Sequence, residues 1–232
     1  YGSSETSESR YDGKTFENKL NQQGYHFHIE IIDESKINIQ GSQSTSKIKC
    51  PASLKDVPLR TSSGDFDYSS LFSSPPSSLE ETHTPTVIRV AEIEGLNSDL
   101  IKAIVRTEST WNPQALNSGS GARGLMQVTP ITFKDVKERG TGLCSGINQD
   151  DSLSKLFDPE TNVKYGSCYL KILNSKNGFT DTELLLAAYN WGPQNVRDNC
   201  NFDFASCKNV PEETKNYLDK VFEAYKEYTS CA

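Results

Sequence analysis

A helical spacing of apolar residues recurs from about residue 86 onward, and each segment has its own start or stop signals. In the first segment, Asn97 or Ser98 can act as the N-cap, Asn112-Pro113 ends the pattern, and one face carries Leu100, Ile101, Ile104 and Val105. Further helix starts are indicated at Thr129-Pro130, Asp158-Pro159, the capping-box pair Thr180 and Glu183, and Pro211. The run 184–189 is apolar on every side, so its helix is expected at the centre of the core. Residues 86–232 are therefore predicted to form a mainly α-helical domain.

The sequence before residue 86 has a different composition. Residues 41–85 contain 12 Ser and 5 Pro without a periodic pattern, which predicts an irregular Ser/Pro-rich linker. Apolar and polar residues alternate over 25–31, which predicts a half-buried strand, and Ile37 and Ile39 indicate a second short strand. Phe16 and Leu20 lie four residues apart and suggest a short helix. We therefore expect a small N-terminal α+β unit over residues 1–40.

The charge balance argues against two classes of partner. The chain has 24 Lys and Arg against 31 Asp and Glu, a net charge of -7 at pH 7. Such a chain lacks the basic surface on which nucleic-acid affinity depends, and it would not be drawn to anionic lipid. No window holds 18 consecutive apolar residues, so we expect no membrane-spanning helix. Binding to nucleic acid is not predicted.

The cysteines indicate a compartment. They stand at positions 50, 144, 168, 200, 207 and 231, with no CxxC pair and no Cys/His run at zinc-ligand spacing. An even count without metal spacing favours three disulfides and an oxidising compartment, periplasmic or extracellular; six free thiols in a cytosolic protein are the alternative. Cys200–Cys207 is favoured as a local loop closure and Cys144–Cys168 as a clip from a loop to a predicted helix, and elimination leaves Cys50–Cys231.

One carboxylate falls on an apolar stripe. Glu108 lies four residues after Ile104 and three after Val105, which places it on the buried face at the C-terminal end of the first predicted helix. Burial and the negative end of the helix dipole both raise the pKa of a carboxyl group. A carboxylic acid that stays protonated near neutrality can act as a general acid. The structural alternative is a buried glutamate satisfied by an arginine or a backbone amide.

Four motifs follow one another in a recognisable order. Glu108-Ser109 is followed by Gly124-Leu125-Met126-Gln127, then by Ala188-Tyr189-Asn190, and finally by Glu213-Thr214 with Tyr217. Over roughly residues 88–228 this order resembles the soluble-type lytic transglycosylases, relatives of goose-type lysozyme. The resemblance implies a lysozyme-like α-helical catalytic domain that acts on peptidoglycan glycan strands without a cofactor or a metal.

The resemblance also implies roles for individual residues. Glu108 falls on the catalytic acid/base. Ser118 falls on a serine that orients this carboxylate, although Asn117 can hold the same place because the intervening segment is one residue longer than in some members. The expected substrate-binding residues are Ser118, Met126, Gln127, Tyr189, Asn190 and Tyr217.

Taken singly, several of these residues also have ordinary structural explanations. Met126 can be a gap filler in the core, and Tyr189 and Tyr217 lie on inward faces of predicted helices. Trp191 stands where many members have a small residue, and core packing is favoured over sugar stacking. His26 and His28 share one strand face, but two imidazoles are too few for a metal site, and a solvated face is favoured.

The motif region offers Glu108 without an obvious second carboxylate. The resemblance implies a route with one carboxylate, in which the bond from N-acetylmuramic acid to N-acetylglucosamine is broken and a 1,6-anhydro ring closes. Two alternatives stay open: a hydrolase of the goose lysozyme type, and a glycan-binding or assembly protein with a dead site. The N-terminal segment is a candidate docking site for a cell-envelope or secretion-machine partner.

Overall fold

The structure is a computed structural model that describes residues 50–60, 78–201 and 203–229. These residues belong to one compact unit, Lys49–Ala232. The predicted N-terminal α+β unit, with His26 and His28, lies outside the described residues. So do residues 41–49 and 61–77 of the predicted linker. The fold below is that of the described residues alone.

Seven α-helices make up most of the described chain. They are α1 (Leu79–Glu94), α2 (Ser98–Ser109), α3 (Pro130–Arg139), α4 (Pro159–Ser175), α5 (Thr182–Trp191), α6 (Pro193–Asn199) and α7 (Glu212–Tyr228). Short 3-10 turns occur at Leu54–Asp56, Leu153–Phe157 and Phe204–Ser206. Within these residues the only β pairing is two isolated bridges, Leu116 with Arg123 and Arg123 with Val128. The mainly α-helical prediction is confirmed.

Most helix starts are capped where the sequence indicates. Asn97 caps α2 through its side-chain oxygen, Thr129 caps α3, and Asp158 caps α4. The start of α5 differs from the prediction, because Asp181 and not Thr180 is the N-cap and accepts a hydrogen bond from the Leu184 amide at 3.0 Å. A carboxylate at that position also interacts favourably with the positive end of the helix dipole.

Two parts of the segment predicted as a linker are ordered against the helical core. Helix α1 begins at Leu79, where the Ser78 hydroxyl accepts a hydrogen bond from the Glu81 amide at 3.1 Å. Leu54 and Val57 are buried, and the Val57 carbonyl accepts a hydrogen bond from the Thr182 hydroxyl at 2.6 Å. The Ser/Pro-rich composition obscures these few apolar anchors. The division of the chain at residue 40 stays a prediction.

Helix α5 lies at the centre of the core, as its sequence predicts. Its fully or almost fully buried residues are Leu184, Leu185, Leu186, Ala187 and Ala188. Helices α2 and α7 pack against each other, and α1 packs on α2 and α4. This arrangement brings the C-terminal half of α2 beside the inner face of α7.

Two predicted disulfides are present, Cys144–Cys168 and Cys200–Cys207. Cys50 is also disulfide-bonded, but its predicted pairing with Cys231 lies outside the described residues. The loop that carries Cys144 is further held by the Ser145 amide, which donates to Glu94 at 2.7 Å. Glu94 is also ion-paired with Lys171 at 2.6 Å inside the protein. The disulfide and the buried ion pair therefore tie α1 and this loop to α4.

Candidate active site

Glu108 lies in the last turn of α2, next to an abrupt end of the helix. Thr110 and Trp111 follow with φ of 50° and 63°, so both adopt the left-handed conformation. This conformation is unfavourable for residues other than glycine and ends the helix before the predicted stop at Asn112-Pro113. The turn leaves Glu108 at the helix terminus with its side chain half-buried.

The surroundings of Glu108 favour its protonated form. The pKa of Glu108 is raised to about 7. Desolvation by the surrounding protein is the largest cause; a hydrogen-bond interaction with Tyr217 lowers this pKa, and the nearby charge of Glu213 raises it. The Tyr217 hydroxyl is buried and makes no hydrogen bond of standard geometry among the described residues, so its contact with Glu108 is a loose one. Desolvation dominates, and Glu108 can carry a proton near neutral pH.

Two tyrosines from other helices face the same carboxyl group. Burial, followed by the charge of Glu108, raises the pKa of Tyr189 and of Tyr217 well above the usual value. Both hydroxyls are therefore neutral hydrogen-bond donors at physiological pH. Tyr189 comes from α5 and Tyr217 from α7, so the fold brings together three helices that are far apart in sequence.

The Tyr189 side chain also fixes a loop. Its hydroxyl donates a hydrogen bond to the Met126 carbonyl at 2.8 Å, and its ring packs at a tilt against Tyr169, with centroids 5.6 Å apart. Tyr189 thereby links the loop 124–127 to the side of Glu108.

Asn190 lies beside this cluster at the end of α5. Its side-chain oxygen accepts a hydrogen bond from the buried Thr214 hydroxyl at 2.8 Å. The bond fixes which way the amide faces, and no described residue accepts a hydrogen bond from its nitrogen. Asn190 thus presents an oriented donor next to Tyr189 and Thr214.

The loop around Met126 and Gln127 has a demanding backbone. Gly124 has φ of 74° and Gln127 has φ of 46°. The side-chain amide nitrogen of Gln127 donates to the carbonyls of Gly124 at 2.9 Å and Ala115 at 3.3 Å. Gln127 is half-buried, which leaves it partly accessible, whereas the Met126 side chain is fully buried and packs against Gly166 in α4. Any contact of Met126 with a ligand would therefore involve its backbone.

Asn162 of α4 holds the loop around Met126 through hydrogen bonds to the backbone. The sequence alone did not indicate this role. Its oxygen accepts from the Met126 amide at 2.7 Å, and its nitrogen donates to the carbonyls of Arg123 at 2.7 Å and Leu156 at 2.8 Å. Asn162 is fully buried, and all three bonds go to backbone groups. The one available signal was an asparagine four residues after the helix cap Asp158, on the face later found to be buried.

The predicted orienting residue is not joined to Glu108. Ser118 is exposed and makes no hydrogen bond to any described residue. The alternative, Asn117, uses its side-chain oxygen to accept from the amides of Gly119 at 2.9 Å and Ser120 at 3.1 Å, which shapes the exposed turn. The role of Ser118 stays a prediction.

The sequence placed Glu213 in the fourth motif but did not indicate that it acts on Glu108. This exposed residue lies one turn before Tyr217 on α7, and its charge acts on the Glu108 carboxyl. The i, i+4 spacing of Glu213 and Tyr217 was the signal, because it places both on one face of the helix. Trp191 is half-buried and packs against the core, as the favoured interpretation expects.

Two other kinds of feature are absent from the described segments. No group of three or more His, Cys, Asp or Glu residues there is arranged to hold a metal ion. None of the helices in these segments combines the length and the apolar character needed to cross a membrane.

Comparison with known proteins identifies the family. The family model described as "Transglycosylase SLT domain" matches residues 85–209. Membrane-bound lytic murein transglycosylase C of Serratia proteamaculans is 33% identical over 171 residues, and that of Yersinia enterocolitica is 32% identical over 171 residues. Each match covers 63% of this chain and 46% of the relative, so the chain spans about half the length of these relatives.

Solved structures agree with the family model. An inactive variant of the lytic transglycosylase Slt from Pseudomonas aeruginosa matches with a TM-score of 0.52 and 30% identity, over 64% of this chain and 24% of that one. The 70-kDa soluble lytic transglycosylase from Escherichia coli matches with a TM-score of 0.53 and 28% identity, over 65% of this chain and 26% of that one. The predicted lysozyme-like domain is thereby confirmed, and the chain belongs to the transglycosylase SLT domain family.

Proposed function

We propose that the protein is a peptidoglycan lytic transglycosylase with Glu108 as its single general acid/base. The observation that carries the proposal is the raised pKa of Glu108, about 7, in a half-buried position beside two neutral tyrosines. Membership of the family and the names of the relatives, which are murein transglycosylases, support the substrate class.

The first step needs a protonated acid. Glu108 donates its proton to the oxygen that links N-acetylmuramic acid to N-acetylglucosamine, and the bond from that oxygen to C1 of the muramic residue breaks. The N-acetyl group of the same residue stabilises the positive charge that develops at C1. Tyr217 then donates toward the Glu108 carboxylate and stabilises its negative charge.

The second step closes the ring. The charged Glu108 takes the proton of the 6-hydroxyl of the muramic residue, and the oxygen attacks C1 to form the 1,6-anhydro product. Glu108 returns to its protonated state, and no water is consumed. Asn190, next to Tyr189, and Gln127, next to Met126, each have a side-chain amide oriented by hydrogen bonds and are suited to hold the hydroxyl and N-acetyl groups of the glycan.

A second candidate function, hydrolysis of the same bond, is favoured by Glu213. An inverting hydrolase needs a second carboxylate about 6.5–9.5 Å from the acid to activate a water. Glu213 is an exposed carboxylate whose charge reaches Glu108. We prefer the transglycosylase because the charge of Glu213 already has an effect without activating water. It adds to desolvation, the larger cause, in raising the pKa of Glu108.

Product chemistry separates these functions. Purified peptidoglycan is incubated with the protein, with Glu108→Gln and with Glu213→Gln, and the released fragments are weighed by mass spectrometry. A transglycosylase leaves anhydro ends that are lighter by one water than the reducing ends of a hydrolase. We expect anhydro ends from the wild type and from Glu213→Gln, and no release from Glu108→Gln. Reducing ends that disappear in Glu213→Gln would establish the hydrolase instead, and no release by any folded protein would favour a binding role.

The disulfides fit an oxidising compartment. We propose the periplasm or the extracellular space, where the substrate lies. Docking of residues 1–40 to a cell-envelope or secretion-machine partner stays a prediction, because these residues lie outside the described structure.

A further inference from the structure

Trp111, in the turn after α2, is held by a chain of side-chain hydrogen bonds. The Trp111 indole nitrogen donates to the Tyr228 hydroxyl at 3.2 Å, and this hydroxyl donates to Glu80 at 2.7 Å. Tyr228 is the last residue of α7, and Glu80 is the second residue of α1. Both lie outside the segment 85–209 that the family model matches.

These bonds stabilise an unfavourable turn. The left-handed conformation costs roughly 1–2 kcal/mol per residue with a side chain, and here Thr110 and Trp111 adopt it in succession. Such a turn persists only where the surroundings hold it. The Trp111 side chain is 2% exposed, and its single polar atom has Tyr228 as its partner. The Tyr228 hydroxyl therefore helps to hold the turn at the C-terminal end of α2, the helix that carries Glu108.

Cations from α2 hold the Tyr228 ring in place. The Lys102 ammonium lies 4.6 Å from the ring centroid and the Arg106 guanidinium lies 5.9 Å from it. Arg106 also forms an ion pair with Glu227, the neighbour of Tyr228. Burial, then the hydrogen bond to Glu80, raises the pKa of Tyr228, so the hydroxyl stays neutral and can both donate and accept.

Two tyrosines on one face of α7 thus interact with the C-terminal end of α2 and with the turn that follows it. Tyr217 and Tyr228 are eleven residues apart, which is about three turns and about 16 Å along the axis. Tyr217 contacts Glu108, and Tyr228 holds Trp111, three residues beyond Glu108. We propose that Tyr228 is a positioning residue, which fixes the turn after α2 through Trp111 and thereby sets the Glu108 carboxyl against Tyr217.

This inference rests on the proposed role of Glu108 as the acid/base, but one test does not depend on activity. The pKa of Glu108 is measured by carboxyl-carbon NMR titration in the wild type, in Tyr228→Phe and in Tyr225→Phe. Tyr225 is the matched control, because it is a buried tyrosine of the same helix whose hydroxyl accepts a hydrogen bond from Asn97, remote from Trp111. The other groups that act on Glu108 (Tyr217 and Glu213 on α7, and Tyr189 on α5) are unchanged in both variants.

The expected results differ between the two variants. In Tyr228→Phe the Glu108 pKa should fall by about one unit toward its ordinary value, because the carboxyl group becomes more solvated. On peptidoglycan, kcat should fall roughly tenfold with KM little changed, since even a 1 Å misplacement can cost about 10²-fold. The alkaline limb of the kcat profile should move to lower pH. Tyr225→Phe should show none of these changes.

Variants at Glu80 complete the test. Glu80→Gln keeps an acceptor for Tyr228 and should behave like the wild type, whereas Glu80→Ala should reproduce Tyr228→Phe and replaces it if that variant does not fold. An unchanged Glu108 pKa in folded Tyr228→Phe overturns the proposal, and so does an equal fall in Tyr225→Phe, which would show general loosening. If the wild type releases no glycan, the proposed function fails and the NMR result still decides the positioning role.

Discussion

The Tyr189 hydroxyl donates a hydrogen bond to the carbonyl oxygen of Met126, 63 residues earlier in the chain, at 2.8 Å. This bond joins the central helix α5 to the loop that carries Gln127. Because Tyr189 also lies within electrostatic reach of Glu108, one side chain connects the loop and the acid. Changes at Tyr189 are therefore expected to affect both the loop and the Glu108 carboxyl group.

Replacement of Glu108 by glutamine should abolish glycan cleavage and leave the fold intact. The change keeps the size of the side chain and removes the proton donor, and general acid–base catalysis contributes about 10²–10⁴-fold. Release of soluble fragments from peptidoglycan gives the rate, and circular dichroism reports the fold. Glu138→Gln, at an exposed position on α3, is the control and should keep full activity. Near-normal cleavage by folded Glu108→Gln would refute the site assignment.

The stability of the protein should depend on pH through Glu108. The folded protein holds this proton with a pKa of about 7, against an ordinary glutamate pKa of 4.5, so the stabilisation is complete below pH 4.5 and is lost as pH rises through 7. Since each pKa unit corresponds to about 1.4 kcal/mol, the loss is at most about 3–4 kcal/mol.

Denaturant unfolding at several pH values can measure this effect. Glu108→Gln, which cannot ionise, should be more stable than the wild type at pH 8, and the difference should shrink toward pH 4. A difference that does not vary with pH would show that Glu108 titrates normally.

Replacement of Asn162 by alanine should strongly destabilise the protein. Two buried backbone groups, the Met126 amide and the Leu156 carbonyl, lose their bond to Asn162, whereas the Arg123 carbonyl keeps the Val128 amide as a partner at 3.0 Å. Each unsatisfied buried group costs about 1–3 kcal/mol, so we expect a loss of about 2 kcal/mol or more. Asn174→Ala on the same helix removes one bond, to the Phe179 carbonyl, and should cost about 1 kcal/mol. Urea unfolding compares the two variants. Equal losses would mean that Asn162 does not hold the loop.

Gly124→Ala should be far more damaging than Gly142→Ala. Both glycines have similar left-handed backbones, with φ of 74° and 76°. A Cβ at Gly142 would meet nothing within 4 Å, so only the backbone strain of about 1–2 kcal/mol applies. A Cβ at Gly124 would lie 2.2 Å from the Leu156 carbonyl oxygen and 2.3 Å from the Asn162 amide nitrogen, which adds about 1–3 kcal/mol for overpacking. Melting temperatures that fall equally would contradict this close approach.

Loss of each disulfide should destabilise the protein, and more so for the longer loop, because loop-closure entropy rises with the logarithm of loop length. Replacement of both cysteines by alanine should cost about 3 kcal/mol for Cys144–Cys168, separated by 24 residues, and about 2 kcal/mol for Cys200–Cys207, separated by 7. Guanidinium unfolding without reductant provides the comparison. Thiol titration of the denatured, unreduced wild type should find no free cysteine, and six reactive thiols would overturn the oxidised state.

Local features of the sequence determined most of the helical framework. The spacing of Ile104, Val105 and Glu108 depends only on the helical repeat, so it placed the carboxylate on a buried face before any tertiary contact was known. The caps at Asn97, Thr129 and Asp158 are likewise set within a few residues. The pairing Cys200–Cys207 followed from a local loop closure, and Cys144–Cys168 from a clip between a loop and a predicted helix.

Tertiary structure alone decided which distant groups meet. Glu213 reaches Glu108 only because α7 packs on α2, and Asn162 holds Met126 only because α4 lies beneath the loop. The sequence also did not reveal that the Ser118 side chain stays exposed and unbonded to Glu108, or that Leu54 anchors part of the predicted linker in the core. The physical reason is that helical periodicity and capping act over a few residues, whereas these contacts depend on how elements far apart in the chain pack together.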